Sequence, residues 1–286
     1  MKDLPCVSSK LRFCCFRQAA LVQSCTKLRK ESLKKMIDKT AKYCLFFDYD
    51  GTLSCNGVSE ENKAALKKVH ELGHYLFLNT GRSKGFIPED AYIAADWDGI
   101  IAGTSYIEYK NTILCNEGIS KEALMQAKRF YDAHKIPCLF EGVKTNYAIG
   151  ELEGICNITD DFETYLDQNY DKMEITKWTF CQNISSYEDA DFPGCRNIYH
   201  PTYTETVPDG FDKATGIRLL CERLRIPREH TISFGDSEND IEMLQYTGIS
   251  VIMKSAPPEF DRFATIRTQS DTFGVAQAIN KLFFEK

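Results

Sequence analysis

The stretch Phe46-Phe47-Asp48-Tyr49-Asp50-Gly51-Thr52-Leu53 is an apolar strand that ends in two carboxylates and a glycine turn. Side chains alternate along an extended segment, so Asp48 and Asp50 are expected to project together from the strand's end while Tyr49 points elsewhere. Two carboxylates that close repel, and one is readily held protonated unless a cation absorbs the charge. Any short strand with an acidic turn could carry the same letters, so the pair acquires meaning only from the rest of the chain.

Three further segments supply that. Tyr75-Leu76-Phe77-Leu78-Asn79-Thr80-Gly81-Arg82 is a hydrophobic strand ending in Thr80. Phe211-Asp212-Lys213-Ala214-Thr215-Gly216-Ile217 sets a lysine at a helix start, and Ser233-Phe234-Gly235-Asp236-Ser237-Glu238-Asn239-Asp240 is an acidic loop after a strand. In this order, behind Asp-x-Asp-Gly-Thr-Leu, they resemble the four motifs of the haloacid dehalogenase (HAD) superfamily over roughly residues 40 to 286. Most members of that superfamily are Mg²⁺-dependent phosphohydrolases.

Composition agrees with a soluble enzyme. The 286 residues suffice for a core domain and a second one. Apolar content of 43% with 27% charged residues is ordinary for a globular chain. A net charge of −6 argues against a nucleic-acid binder, which would want a basic face. No run approaches the roughly 18 to 20 apolar residues that span a bilayer, so no membrane partner is expected. The twelve cysteines include no Cys-x-x-Cys, and positions such as Cys44 and Cys221 suit small buried hydrophobes. Reduced thiols and a cytoplasmic location are the expectation.

Residues 1 to 35 differ from the rest: nine Lys and Arg face only Asp3 and Glu31 there. Arg12 and Arg17 bracket just four apolar residues, too few for a secretory signal. An organellar transit peptide or a non-native extension remain as readings, because Met36 stands twelve positions before Asp48, where family members usually begin. A disordered, dispensable extension is expected.

From Lys42 strand and helix alternate, as in doubly wound α/β domains. Strands are expected at Tyr43–Phe47, Tyr75–Asn79, His230–Phe234 and Gly248–Met253, with helices at Glu60–Leu72, Ala214–Leu224, Ile241–Tyr246 and Val275–Phe284. Ser59 is a helix N-cap candidate, but Asn62 stands where a capping box wants Glu. Ligands bind beyond the carboxyl ends of the strands in such sheets. Asp48, Thr80 and Asp236 fall there.

His70-Glu71-Leu72-Gly73-His74 matches the zinc-protease pattern His-Glu-x-x-His. That chemistry needs one continuous helix. Gly73 is a helix stop and a buried strand begins at once at Tyr75, so His74 is placed in a turn, off the face of His70.

Thr80 and Lys213 stand 133 positions apart, far more than a crossover helix needs. In the HAD superfamily an insertion here implies a C2-type cap. Asp98-Gly99-Ile100-Ile101-Ala102-Gly103-Thr104 resembles the strand preceding the cap in Cof-like (type IIB) phosphatases, with Gly103-Thr104-Ser105 in place of the usual Asn-Gly-Ala ending. The expected fold is an α/β Rossmann-like HAD core (residues 36 to 105 and 201 to 286) with an inserted α/β cap (residues 106 to 200). Within the cap, helices are expected at Lys121–His134 and Asp160–Asn169 and strands at Pro137–Gly142 and Lys172–Cys181. Glu141, Lys144, Asn146 and Tyr147 read as ordinary surface residues.

The resemblance implies a site residue by residue. Asp48 would be the nucleophile that forms an aspartyl phosphate, and Asp50 the general acid and base, its side chain left free to carry protons. Asp48, the backbone carbonyl of Asp50, and Asp236 would hold Mg²⁺, with Asp240 supporting them by hydrogen bonding. Thr80, Gly81, Lys213 and Asn239 would hold the phosphoryl oxygens. The implied activity is hydrolysis of small phosphomonoesters, sugar phosphates or related metabolites among them. A phosphomannomutase-like phosphomutase shares these residues, and a catalytically silent binding protein is a remote alternative.

Overall fold

Cys44–Phe47 (β1) is buried along its whole length, and that follows from its position at the centre of a sheet covered on both faces. The computed structural model describes residues 37–285. Lys42–Ile279 form one compact unit, and Ile37–Ala41 belong with Asn280–Glu285 in another. The residues 1 to 35 expected to be a dispensable extension lie outside the described residues.

Within Lys42–Ile279, β1 pairs in parallel with Tyr75–Thr80 (β2) on one side and Thr231–Gly235 (β12) on the other. Gly99–Ala102 (β3) continues the sheet beyond β2, and Ile249–Ile252 (β13) with Ile266–Arg267 (β14) continue it beyond β12, all parallel. Tyr106–Tyr109 (β4) and Thr112–Asn116 (β5) then extend the β3 edge antiparallel. The helix Glu60–Glu71 (α1) starts at Ser59, whose hydroxyl accepts the Asn62 amide at 3.2 Å. Asn62 spoils the capping box for a reason outside the helix. It is buried, donates to the carbonyls of Leu53 and Thr272, and accepts the amide of Ala276, tying the first site loop to the helix Gly274–Ile279.

Gly73, with φ +84°, ends the turn after α1. His74 beyond it is buried and accepts the Tyr43 amide at Nδ1, whereas His70 lies 3.3 Å from Asp98. The two histidines serve different partners, as a helix ending at Glu71 requires.

A second, six-stranded sheet lies between the two halves of the first in sequence. Its order is Cys195–Tyr199 (β10), Thr204–Pro208 (β11), Ile175–Phe180 (β9), Cys138–Gly142 (β6), Asn146–Ile149 (β7), Cys156–Asn157 (β8). Two helices, Lys121–His134 (α2) and Phe162–Met173 (α3), share one core with it, built from residues such as Leu124, Phe130, Phe162, Leu166, Trp178 and Phe180. The expected boundaries need correction at both ends. β4 and β5 (residues 106 to 116) belong to the first sheet, because Gly103 and Thr104 turn the chain back through positive φ and Tyr106 pairs with Ala102. β11, placed beyond residue 200 and so in the core, pairs with β9 and belongs to the second sheet.

Alternation divides β9 between two environments. Trp178 and Phe180 join the core beneath the helices, and Lys177 and Thr179 point the other way. Lys177 stands opposite Glu141 of β6, and Thr179 opposite Glu205 of β11. That polar face closes over the carboxyl ends of β1 and β2.

Candidate active site

The chain turns sharply after Phe47, so strand alternation does not carry through Asp50. The carbonyl of Tyr49 accepts the amides of Thr52, Leu53 and Ser54, and Gly51 has φ +79°. A Cβ on Gly51 would stand 2.4 Å from an oxygen of Asp236, so any side chain there would strain the turn and displace that carboxylate. Asp48, 4% exposed, points inward, and Asp50 beside it is exposed.

Lys213 begins the helix Lys213–Leu224 (α4). Asp212 caps that helix in a reciprocal capping box with Thr215, which fixes Lys213 in the first turn. Its buried ammonium lies 2.6 Å from Asp48 and 2.6 Å from Asp240. The other Asp240 oxygen accepts the amides of Asp236 and Ser237, and Thr52 donates to Asp236 at 2.7 Å. Three loops from β1, β12 and α4 are thus locked into one network.

The residues expected at the site converge. Asp48, Asp50, Gly81 and Asn239 line a cavity of about 440 Å³. The amide nitrogen of Asn239 sits close over Gly81, 3.1 Å from where a Cβ would be. Thr80 is buried, and its hydroxyl accepts the Arg82 amide at 3.1 Å, shaping the turn that presents Gly81.

A family model described as haloacid dehalogenase-like hydrolase matches residues 45–279. The chain belongs to that family. It is 28% identical over 248 residues to YkrA of Bacillus subtilis (strain 168), named as a putative phosphatase, covering 83% of this chain and 96% of that one. It is 27% identical over 250 residues to phosphoglycolate phosphatase 2 of Saccharolobus solfataricus, covering 82% and 90%. Among solved structures, the HAD phosphatase BT1666 from Bacteroides thetaiotaomicron superposes with a TM-score of 0.74 at 21% identity, covering 84% of this chain and 95% of that one. The HAD subclass IIB sugar phosphatase BT4131 does so with a TM-score of 0.72 at 23% identity, covering 84% and 98%. The chain is a hydrolase of this family.

HAD phosphatases use a divalent metal, and the donor set fits one. Asp48, Asp236 and Asp240 each offer a carboxylate oxygen, all within 4.8 Å of one another, and hard oxygen donors suit a hard cation. Charge points the same way. Burial pushes the Asp48 carboxyl well above the carboxylate range, Lys213 opposes this, and Asp240 and Asp236 reinforce it. Burial likewise lifts Asp236 to about 6, against the Thr52 hydrogen bond. Burial would lower the Lys213 ammonium, but Asp240 and Asp48 more than offset that and raise it. One ammonium cannot balance three carboxylates, and a bound cation would bring both acids back down.

Asp50 departs from expectation. Its side chain is not free: Arg82 grips both oxygens, Nε to one and an Nη to the other, each at 2.7 Å. The guanidinium also donates to the Phe86 carbonyl at 3.3 Å and lies over the Tyr49 ring. Arg82 directly follows the Thr-Gly pair, and that adjacency was the available signal.

The cap face supplies residues that carried no sequence signal as a group. Glu141, 5% exposed, is no surface residue, and Tyr147 is also buried. Glu141 accepts the Thr179 hydroxyl at 2.7 Å and lies 3.8 Å from Lys177. Lys177 donates to Glu205 at 2.5 Å and to the Gly81 carbonyl at 3.0 Å, joining cap to core. Burial would lower the Lys177 ammonium, but Glu141 and Glu205 hold it raised. Burial would lift Glu205, but Lys177 and His200 hold it down at about 2.

Proposed function

We propose that this enzyme is a Mg²⁺-dependent phosphatase of small, hydroxylated phosphomonoesters such as sugar phosphates, working through an aspartyl phosphate on Asp48. The observation that carries the reading is Lys213 held between Asp48 and Asp240 at 2.6 Å, with Asp236 alongside and Asp50 one turn away at the cavity wall.

Asp48 attacks phosphorus, its approach fixed by Lys213, which also faces the incoming phosphoryl oxygens. Thr80, the Gly81 amide and Asn239 orient those oxygens. Asp50 protonates the departing alkoxide, then takes a proton from the water that cleaves the aspartyl phosphate, a role typically worth 10² to 10⁴-fold. Arg82 must yield part of its hold on Asp50 for this, and the phosphate dianion offers it an alternative partner. Asp48, Asp236 and the Asp50 carbonyl would hold Mg²⁺, with Asp240 steadying them, and the ion would supply charge neutralisation at the phosphoryl group. The cap face excludes bulk water and meets the alcohol portion of the ester.

Phosphate release from a panel of esters tests the reading, with Asp48→Asn as control. A variant that released phosphate as fast as the parent would exclude the proposed nucleophile, and transfer of the phosphoryl group to a second sugar phosphate rather than water would point to a mutase.

A further inference from the structure

The cavity wall opposite Asp50 is built almost wholly from the cap, and its charges are already spoken for. Lys177 is 4% exposed, with its ammonium shared among Glu205, the Gly81 carbonyl and, at 3.8 Å, Glu141. Two of its three donors are engaged by Glu205 and the Gly81 carbonyl, and Glu141 adds its charge at ion-pair distance. The other permanent cation lining the cavity, Arg82, is held by Asp50. His200 lies 3.6 Å from Glu205 and stacks on Tyr203 at 4.1 Å between ring centroids. With His200 counted as neutral, two carboxylates against one lysine leave this wall with an excess negative charge. Beside them are acceptor oxygens with lone pairs to spare, the Thr179 hydroxyl, and the flat face of a stacked ring pair.

We propose that the cap wall is a charge filter: Glu141 and Glu205 select phosphomonoesters whose alcohol portion is neutral and hydroxylated, and reject those carrying a second anionic group. This rests on the phosphatase reading of the site. Hydroxyls can donate to both glutamates without disturbing Lys177. A carboxylate or second phosphate would face like charge across the cavity, and would have to compete with Glu205 and Glu141 for Lys177. Like-charge juxtaposition of this kind is a strong specificity device because it acts against the wrong ligand and costs the right one nothing.

A matched pair of esters tests it. sn-Glycerol 3-phosphate and 3-phosphoglycerate differ in a hydroxymethyl group against a carboxylate, so the ratio of their kcat/KM values isolates the charge. With p-nitrophenyl phosphate as reporter of basal activity, the parent enzyme should prefer glycerol phosphate by about tenfold or more at low ionic strength. The preference should shrink as salt rises to about 0.5 M, which a purely steric selection would not do. Glu205→Gln and, separately, Glu141→Gln should each cut the ratio by about threefold or more, chiefly through a lower KM for phosphoglycerate. If either ester turns over too slowly, its inhibition constant against p-nitrophenyl phosphate gives the same ratio. Equal use of the two esters by a parent enzyme that splits p-nitrophenyl phosphate overturns the filter and leaves the phosphatase reading intact. An enzyme that splits no ester with Mg²⁺ present overturns the phosphatase reading itself, and the filter with it.

Discussion

Arg82 holds Asp50 by two hydrogen bonds of 2.7 Å, one to each carboxylate oxygen. A bidentate guanidinium fixes orientation as well as charge, and here it fixes the proposed proton carrier at the mouth of the cavity. Arg82→Ala should lower kcat/KM for p-nitrophenyl phosphate by about ten- to a hundredfold. Arg82→Lys should recover little of it, since an ammonium cannot chelate both oxygens. Unchanged kinetics in Arg82→Ala would show that the pair has no part in turnover.

Asp48 and Asp50 should fail in different ways. After an acid quench with phosphate-labelled ester, Asp48→Asn should carry no covalent label. Asp50→Asn should still be labelled but shed the label about 10² to 10⁴-fold more slowly, because activation of water is lost. Label on Asp48→Asn would place the nucleophile elsewhere.

Lys213 is the only cation found between Asp48 and Asp240 among the described residues. Lys213→Met leaves buried carboxylates uncompensated, so unfolding free energy in urea should fall by about 3 kcal/mol. Mg²⁺ should restore part of that loss by taking over the neutralisation. A variant as stable as the parent without metal would mean that the carboxylates are protonated already.

Metal should stabilise the parent as well. The raised Asp236, at about 6, and the raised Asp48 mark a cluster that gains from a cation. Millimolar Mg²⁺ should lift Tm by several degrees, as expected for about 2 to 3 kcal/mol of binding to the folded state alone. Chelation should abolish phosphate release, and a Tm indifferent to Mg²⁺ would contradict the assigned donor set.

His74 gives a pH dependence remote from the site. Burial, aided by Lys42, lowers it from 6.5 to about 4, so the folded protein keeps it neutral while the unfolded chain takes up a proton first. Its contribution is therefore fully present above pH 6.5 and is lost as pH falls towards 4. His74→Asn, which keeps an acceptor near the Tyr43 amide, should show a shallower fall in stability over that window. Parallel curves would show that His74 is not the titrating group.

Much of this molecule was legible along the chain. Helix Lys121–His134 has the limits its pattern predicts, and Ile241–Tyr246 does too. The refusal of His70 and His74 as a zinc pair needed only Gly73 and the strand behind it. These are local matters: a cap, a period, a backbone angle. The boundaries at residues 106 and 200 failed because sheet membership is a question of which strand a segment pairs with, and β4 and β11 read equally well in either sheet.

By itself the sequence determined the alternating core and the four acidic and basic segments at its strand ends, since side-chain period, capping and glycine turns act within a few residues. Only the tertiary structure decided what surrounds them. Arg82 meets Asp50 across 32 positions, and Lys177 meets Glu141 and Glu205 through strand registers set by pairing across 36 and 28 positions. Such contacts depend on which neighbour each strand finds and on which of two faces each residue then presents. Alternation along each strand fixes which face a residue presents, but which residues then stand opposite one another is decided by pairing between distant segments.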